Sequence, residues 1–230
     1  MLKFFLIIIL FPITLLSQTY GEHVRNIYNE CELEGKLSYK VFFTAITGYY
    51  NLKYEQKLFG DKLVIVDFRQ SSLEERFYVI DLLTKELLYK TLVAHGKNSG
   101  GSYAFKFSDK KGSYKSSLGF YITTTTYDGC NGQSLYLKGI DDGYNTHAEE
   151  RLIVVHSAKY VKKEDMGHSK GCFALSMKDA KFIIPLIKEG TCIFAYATYY
   201  QSRYLNKDKA IKYCEQIKIN EALKELLNSP

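Results

Sequence analysis

A succession of short, β-rich runs constrains this chain more than any other feature of its sequence. From residue 62 onward, apolar and β-branched residues come in short runs separated by turn residues. The 20 Tyr and 14 Phe residues strengthen this tendency, because aromatic side chains favour strands. The pattern predicts a mainly β domain with strands at Lys62–Phe68, Arg76–Leu82, Glu86–Ala94, Phe120–Tyr127, Ser134–Lys138, Leu152–Ser157 and Thr191–Thr198.

Helical patterns lie at both ends of this β-rich region and once within it. Residues 27–57 carry apolar positions at the spacing of an amphipathic helix. A second pattern covers Met177–Lys188, and a third covers residues 207–227, where charged residues share one face. These patterns predict an N-terminal helical segment packed on a main domain and a closing C-terminal helix, with boundaries at 22–57, 58–200 and 201–230.

The first 17 residues have the form of a secretory signal peptide. Lys3 precedes an almost wholly apolar run from Phe4 to Leu16, and the small residue Ser17 follows. This run is shorter than the roughly 20 apolar residues that span a membrane. We therefore predict a signal peptide that ends at residue 17 or as late as about residue 21, an exported protein, and no integral membrane span in the mature chain. An uncleaved anchor is the alternative, because Leu15 suits a cleavage site poorly.

Charge and cysteine content exclude several classes of protein. The net charge is +6, and the 31 Lys and Arg residues are dispersed along the chain, which predicts no nucleic-acid partner. The five cysteines contain no C-x-x-C pair, so zinc ribbons and thioredoxin-type redox motifs are excluded. Cys192 lies in an apolar strand pattern and is interpreted as a core residue. Any disulfide pairing stays open at this point.

A strand-end histidine and a glycine–cysteine pair form the stretch that is most informative about chemistry. The apolar run Leu152–Val155 leads to His156, and Gly171 and Cys172 follow, the cysteine 16 residues after the histidine. A thiol is weakly ionised near neutral pH, and a neighbouring imidazole takes its proton. Glycine lets the backbone approach a substrate closely, and amides beside the cysteine then stabilise an oxyanion. This stretch indicates nucleophilic catalysis.

Several short patches follow one another in a specific order along the chain. They are Val66–Phe68, Arg76–Leu82, Leu92–Gly100, Ser116–Tyr121, Leu135–Gly139, Ile153–His156 and Ser169–Cys172. Together they resemble the catalytic domain of the murein L,D-transpeptidase family, over about residues 37 to 198. The resemblance implies an L,D-transpeptidase-type β-sandwich with flanking N- and C-terminal helices and a short helix after the cysteine. It makes residues 58–200 the catalytic domain.

The resemblance also implies a role for individual residues. Cys172 is the implied nucleophile and His156 its general base. The backbone carbonyl of Ser157 fixes the imidazole tautomer, and the amide of Gly171 joins that of Cys172 in the oxyanion hole. The expected substrate contacts come from His95, Ser169, Lys170, Tyr121 and Arg151.

The implied reaction is acyl transfer on peptidoglycan stem peptides. The thiolate attacks the carbonyl of the third, diamino-acid residue, expels the terminal D-alanine and forms a thioester. An amine from a neighbouring stem then makes a crosslink, whereas water gives a trimmed stem. The resemblance implies neither a metal nor an organic cofactor, and it implies a location in the periplasm or the cell envelope.

Two positions depart from the better-known enzymes of this superfamily. Those enzymes have a His two residues before the cysteine and an Arg two residues after it, where this chain has Lys170 and Ala174. We predict that the Lys170 ammonium lowers the pKa of Cys172. The departures also support an alternative, a catalytically impaired peptidoglycan-binding or envelope module with the same fold.

Two further enzyme classes fit the residues less well. A zinc peptidase would use His156, His168 and Cys172 as ligands, since imidazole and thiolate both suit zinc. That spacing is unusual, and no matching acidic base is evident in the sequence. A papain-like hydrolase is disfavoured because its cysteine precedes its histidine along the chain, and here His156 comes first.

Overall fold

Four α-helices and eight strands are found in the described part of the chain. The structure is a computed structural model that describes residues 19–130, 132–164, 166–198 and 200–227, so the predicted signal peptide at 1–17 lies outside the described residues. The elements are α1 Tyr20–Glu30, α2 Tyr39–Tyr54, β1 Lys62–Asp67, β2 Phe77–Asp81, β3 Glu86–Thr91, β4 Gly119–Gly129, β5 Gly132–Gly139, β6 Val154–Ser157, β7 Phe173–Leu175, α3 Met177–Ile187, β8 Cys192–Tyr196 and α4 Lys207–Leu227.

The eight strands form one sheet in the order β3-β2-β1-β8-β4-β5-β6-β7. The pairs β1–β8 and β6–β7 are parallel, and the other neighbours are antiparallel. After β3, at one edge of the sheet, the chain reaches β7 at the other edge, where Ala94 pairs with Ala174. This bridge makes the sheet barrel-like. The predicted mainly β class with flanking helices is confirmed, with the strands continuous in one sheet.

The centre of the sheet carries the core. Every residue of β8 is buried, as is β1 apart from Lys62, which is typical of parallel strands covered on both faces. Cys192 is fully buried, so its interpretation as a core residue is confirmed. Phe120 of β4 stacks on Phe194 of β8 with ring centroids 4.3 Å apart, and α2 packs over this pair because Gly48 leaves room for the Phe120 ring.

The prediction of a single helix over residues 27–57, which rested on the apolar periodicity, is wrong. The structure has two helices, and the chain between them turns at Glu32 and Gly35, which have φ angles of 49° and 71°. A left-handed backbone does not continue an α-helix, so the glycine position ends the periodic pattern locally. The buried side chains of Leu33 and Leu37 fill the corner, which explains why the apolar spacing continues across it.

The stretch after Cys172 also differs from expectation. The sequence predicts that the glycine–cysteine pair meets a helix, but the strand β7 follows Cys172 and α3 begins only at Met177. The predicted helix at Met177–Lys188 is confirmed apart from its last residue. Within the described residues, no helix combines the length and the apolar character that crossing a membrane requires.

Candidate active site

The predicted base His156 belongs to β6, and the predicted nucleophile Cys172 comes directly before β7, the parallel neighbour of β6. His156 lies opposite Ala174 in the register of this pair. Cys172 directly precedes β7, so it lies beside Val154, and the amide of Val154 donates a hydrogen bond to its sulfur. The fold therefore brings the two predicted residues to neighbouring positions at one edge of the sheet.

The orientation of the His156 ring is fixed by its own strand. Nδ1 lies 2.9 Å from the backbone carbonyl oxygen of Ser157. A carbonyl only accepts hydrogen bonds, so Nδ1 carries the proton and the neutral ring has its lone pair on Nε2. The contact that the sequence predicts between His156 and Ser157 is present, and it produces the tautomer that a general base requires.

The Cys172 thiol is a neutral group at the edge of the core. Burial raises the pKa of Cys172, and the Val154 amide and the Arg151 guanidinium partly oppose this effect. The sulfur donates to the carbonyl oxygen of Leu152 at 3.4 Å. All five cysteines are described, and each is a free thiol. Because the pKa is raised, the sulfur needs a base before it attacks an acyl carbon.

Arg151, not Lys170, is the cation that acts on Cys172. The prediction that Lys170 lowers the pKa of Cys172 is wrong, because the Lys170 ammonium lies over the ring of Tyr114 instead. The Arg151 side chain is only 3% exposed, and its Nη2 donates to the carbonyl oxygen of Lys115 at 2.6 Å. The predicted substrate contact of Arg151 is corrected accordingly, since its guanidinium donates to backbone carbonyl oxygens of residues 108 and 115.

Gly171 has a conformation that suits only glycine. Its φ is 126°, and a Cβ there would lie 2.8 Å from the carbonyl oxygen of Lys115. Its amide donates to Ser169 Oγ at 3.0 Å, and the same hydroxyl donates to the Cys172 carbonyl oxygen at 2.8 Å. These hydrogen bonds correct two predictions, the oxyanion contact of the Gly171 amide and the substrate contact of Ser169. The Gly171 amide is engaged by Ser169, and Ser169 is too buried to contact a substrate.

The segment after β3 holds this loop by backbone hydrogen bonds. The amide of Ala94 donates to the carbonyl of Ala174 at 2.9 Å, and that of Ser169 donates to the carbonyl of His95 at 2.9 Å. The amide of Lys97 in turn donates to the carbonyl of Ser169 at 2.8 Å. Residues 94–97 thus form a short ladder with residues 169–174, and the nucleophile's loop is fixed along its length.

A buried pair, Arg76 and His95, anchors that segment. Arg76 donates to the carbonyl oxygens of Val93 and Gln70 and to His95 Nδ1 at 2.7 Å. Burial lowers the pKa of His95 to about 4 and that of Arg76 to about 10. His95 has no exposed surface, so the predicted substrate contact is corrected to a structural one.

Tyr121 is also buried, which leaves Lys170 as the exposed member of the predicted contacts. The Tyr121 hydroxyl bonds to the hydroxyl and the carbonyl of Ser117, and its ring packs edge-on against Phe173 of β7. It has no exposed surface, so it supports β7 from the core and does not meet a substrate. Lys170 is exposed at the rim of the site.

The ligand set considered for zinc is not brought together. His168 packs edge-on against His95 with ring centroids 5.1 Å apart, and its Nε2 lies 3.1 Å from the carbonyl oxygen of Gly101. In the part of the chain that the structure describes, no three His, Cys, Asp or Glu side chains converge as a metal site would require. The residues therefore do not fit a zinc peptidase.

Sequence reasoning missed two groups beside the thiol. Leu152 has a φ of 54°, and this left-handed turn directs its carbonyl oxygen to Cys172. Burial raises the pKa of Tyr160 to about 12, and ionisation of Cys172 would add to that effect. A leucine gives no sequence signal for a left-handed backbone. For the second group the sequence did offer a signal, because Tyr160 is an aromatic residue only four positions after His156.

Comparison with known proteins identifies a matching family. A family model described as L,D-transpeptidase catalytic domain matches residues 33–196, well over half of the chain. Similar solved structures include an L,D-transpeptidase from Mycobacterium smegmatis, with 16% identity over 60% of this chain and 59% of that chain and a TM-score of 0.38. An L,D-transpeptidase from Xylanimonas cellulosilytica has 12% identity over 60% of this chain and 61% of that chain, with a TM-score of 0.34. A helical cell shape determining protein from Campylobacter jejuni is also similar, with 11% identity over 71% of this chain and 59% of that chain and a TM-score of 0.43.

These alignments span about three fifths of the length of each solved chain. A search of curated proteins gave no significant match. The family model is the comparison that decides the assignment, because it covers β1 to β8 together with both candidate reactive residues. This chain belongs to the L,D-transpeptidase catalytic domain family.

Proposed function

We propose that this chain is an exported cysteine acyltransferase that acts on peptidoglycan stem peptides. One observation carries the proposal: His156 Nδ1 donates a hydrogen bond to the Ser157 carbonyl oxygen, which leaves the lone pair on Nε2, on the strand beside the free Cys172 thiol. Membership of the L,D-transpeptidase family supports the same substrate class.

In the proposed reaction, His156 Nε2 takes the thiol proton and the sulfur of Cys172 attacks a stem-peptide carbonyl carbon. The S–C bond forms, the C–N bond to the terminal D-alanine breaks, and the imidazolium gives its proton to the departing amine. An amine of a second stem, or water, then attacks the thioester and restores the thiol. The amine product is a crosslink, and the water product is a shortened stem.

Mass spectrometry of the protein incubated with a stem tetrapeptide tests this proposal. We expect a covalent acyl adduct on Cys172, followed by loss of the terminal D-alanine and either a crosslinked dimer or a tripeptide. Cys172→Ala removes both adduct and product, and His156→Gln slows adduct formation by about 100-fold or more. Cys130→Ala is the matched control, since Cys130 is an exposed free thiol outside the site. Turnover that survives in Cys172→Ala would contradict the proposal.

A second candidate function, a binding module that has lost its chemistry, is favoured by one contact. The Gly171 amide already donates to Ser169 Oγ, so it is not offered to an oxyanion in this structure. Such a module would bind the tetrapeptide without forming an adduct. The same experiment separates the two functions, because binding with no change in the mass of the protein supports only the module.

Export is part of the proposal and is supported by the apolar N-terminal segment. Residues 1–17 have the order of charge, apolar run and small residue that directs secretion. A fusion of residues 1–21 to a reporter that matures only outside the cytoplasm tests it. We expect reporter activity, and replacement of Leu6 and Ile9 by Asp in the fusion abolishes it.

A further inference from the structure

Two lysines and one tyrosine form an exposed cationic cluster at the rim of the candidate site. The Lys97 ammonium lies 4.4 Å from the centroid of the Tyr114 ring, and the Lys170 ammonium lies 5.9 Å from the same centroid. All three side chains are exposed. Lys170 is two residues before Cys172, so the cluster borders the nucleophile.

Backbone contacts fix the three residues relative to one another. The amide of Lys97 donates to the carbonyl of Ser169, and the amide of Asn98 donates to the carbonyl of Tyr114 at 3.1 Å. Gly96 packs so closely on this segment that a Cβ would lie 2.5 Å from the Tyr114 carbonyl oxygen. Tyr114 itself has a φ of 51°, a costly conformation for a non-glycine residue. The backbone positions of the three residues are therefore fixed relative to one another by these contacts.

The cluster has no internal counter-charge. Among the described residues, no carboxylate forms an ion pair with Lys97 or Lys170, whereas Lys111 pairs with Glu150 and Lys53 with Asp61. The face of an aromatic ring attracts an ammonium weakly at an exposed site, which holds each cation without neutralising it. Two like charges held over one ring favour an anion beside them.

We propose that Lys97, Lys170 and Tyr114 form a subsite that binds a free carboxylate of the peptide acyl donor. The inference rests on the proposed function and adds to it a preference for acidic substrates. A lysine ammonium is a compact donor with three N–H groups, and a carboxylate offers two oxygens that accept from such donors. Binding of the carboxylate would hold the donor peptide beside Lys170, which is two residues before the nucleophile in the sequence. This contact would lower KM for acidic donors.

A series of synthetic tetrapeptides tests the subsite. Each ends in D-alanine and has a diamino dicarboxylic acid at the third position, and in each one a different carboxylate is converted to a primary amide. We expect the wild-type protein to lose about tenfold in kcat/KM, mainly through KM, on one amide of the series. In the Lys97→Met, Lys170→Met double variant the ratio of acid to amide falls to about one. Lys40→Met, an exposed lysine on α2, keeps the wild-type ratio.

The outcomes separate the subsite from the chemistry. Equal kcat/KM on all peptides of the series, or an unchanged acid-to-amide ratio in the double variant, overturns the subsite while the proposed function stands. Absence of an adduct on Cys172 with every peptide overturns both. Added salt is a second readout, because screening reduces the preference for the acid in the wild type and leaves the double variant unaffected.

Discussion

Gly171 fixes the conformation of the loop that carries the nucleophile. Its φ of 126° is open only to glycine, and the carbonyl oxygen of Lys115 occupies the space of a side chain. We predict that Gly171→Ala lowers the free energy of unfolding by about 1–3 kcal/mol, through backbone strain and this contact. Because the loop must move, acylation of Cys172 falls by more than the loss of stability explains. Chemical denaturation and mass spectrometry of the adduct measure the two effects.

Gly101→Ala is the matched control for that substitution. Gly101 also lies close to the site, where its carbonyl oxygen accepts a hydrogen bond from His168 Nε2, but a Cβ there meets nothing within 4 Å. We expect it to change stability by less than about 1 kcal/mol and to leave acylation near the wild-type rate. Equal losses in the two variants would show that Gly171 has no special conformational role.

At this scale, the sequence singled out the two candidate residues, His156 and Cys172, that the fold brings to neighbouring positions, and it misassigned some of the residues around them. The His156–Ser157 contact is local, since a strand-end histidine reaches the carbonyl of the next residue, and it follows from the motif. The electrostatic role predicted for Lys170 belongs to Arg151, because charge alone does not say which cation is buried. Burial depends on distant partners such as Lys115, which no local pattern reveals.

At the scale of elements, α2 and the sheet meet at a glycine. A Cβ at Gly48 would lie 1.9 Å from the tip of the Phe120 ring, which is fully buried and stacked on Phe194. We predict that Gly48→Ala destabilises the fold by about 2–4 kcal/mol, although alanine is the better helix former, because overpacking outweighs propensity. Thermal or chemical unfolding measures the change.

Gly21→Ala, in α1, provides a control with the opposite sign. A Cβ at Gly21 meets nothing within 4 Å. Only helix propensity acts there, so we expect a gain of up to about 1 kcal/mol in the free energy of unfolding. A gain of stability in Gly48→Ala would contradict the packing of α2 described above, and a loss in Gly21→Ala would contradict the open surroundings of that glycine.

The start of α3 is set by a side-chain cap. Ser176 Oγ accepts from the amide of Asp179 at 3.1 Å, and Thr91 donates to the Asp179 carboxylate at 2.6 Å. We predict that Ser176→Ala lowers the free energy of unfolding by about 1 kcal/mol. Ser38 occupies the same position before α2 but makes no side-chain cap bond, so Ser38→Ala should change stability much less. Similar losses in both variants would contradict the capping role.

The elements themselves were predictable where their pattern was long. The runs at Lys62–Phe68 and Thr191–Thr198 became β1 and β8, because buried central strands are apolar along their whole length. The three residues of β7 are too few to show a period, and the strand forms because β6 and the segment after β3 supply partners on both sides. Non-local pairing of this kind leaves no trace in a short run.

For the whole molecule, the buried Arg76–His95 pair anchors the segment that joins the two edges of the sheet. Arg76 precedes β2, and His95 belongs to the segment whose Ala94 pairs with Ala174 of β7. The guanidinium always donates, so His95 must keep Nδ1 unprotonated for this contact. The closure of the barrel and the placement of the nucleophile's loop therefore depend on a neutral histidine.

This dependence predicts how stability varies with pH. Burial, with a smaller effect from the Arg76 charge, lowers the pKa of His95 to about 4, whereas an unfolded histidine has a pKa of about 6.5. Between these values the unfolded state binds a proton that the folded state does not. Stability from His95 is therefore complete above about pH 6.5 and falls by about 3 kcal/mol as the pH falls to about 4.

Chemical denaturation at several pH values between 4 and 7 checks this, with His95→Gln as the variant. Glutamine also offers Arg76 an acceptor but does not titrate, so the variant lacks the part of the pH slope that His95 supplies. His147→Gln, at a histidine whose side chain is 60% exposed and contacts Asp109, is the control for the loss of a histidine outside this pair. If His95→Gln loses stability with acid as steeply as the wild type, then the neutral histidine does not hold the two edges together, and the carboxylates account for the acid sensitivity instead.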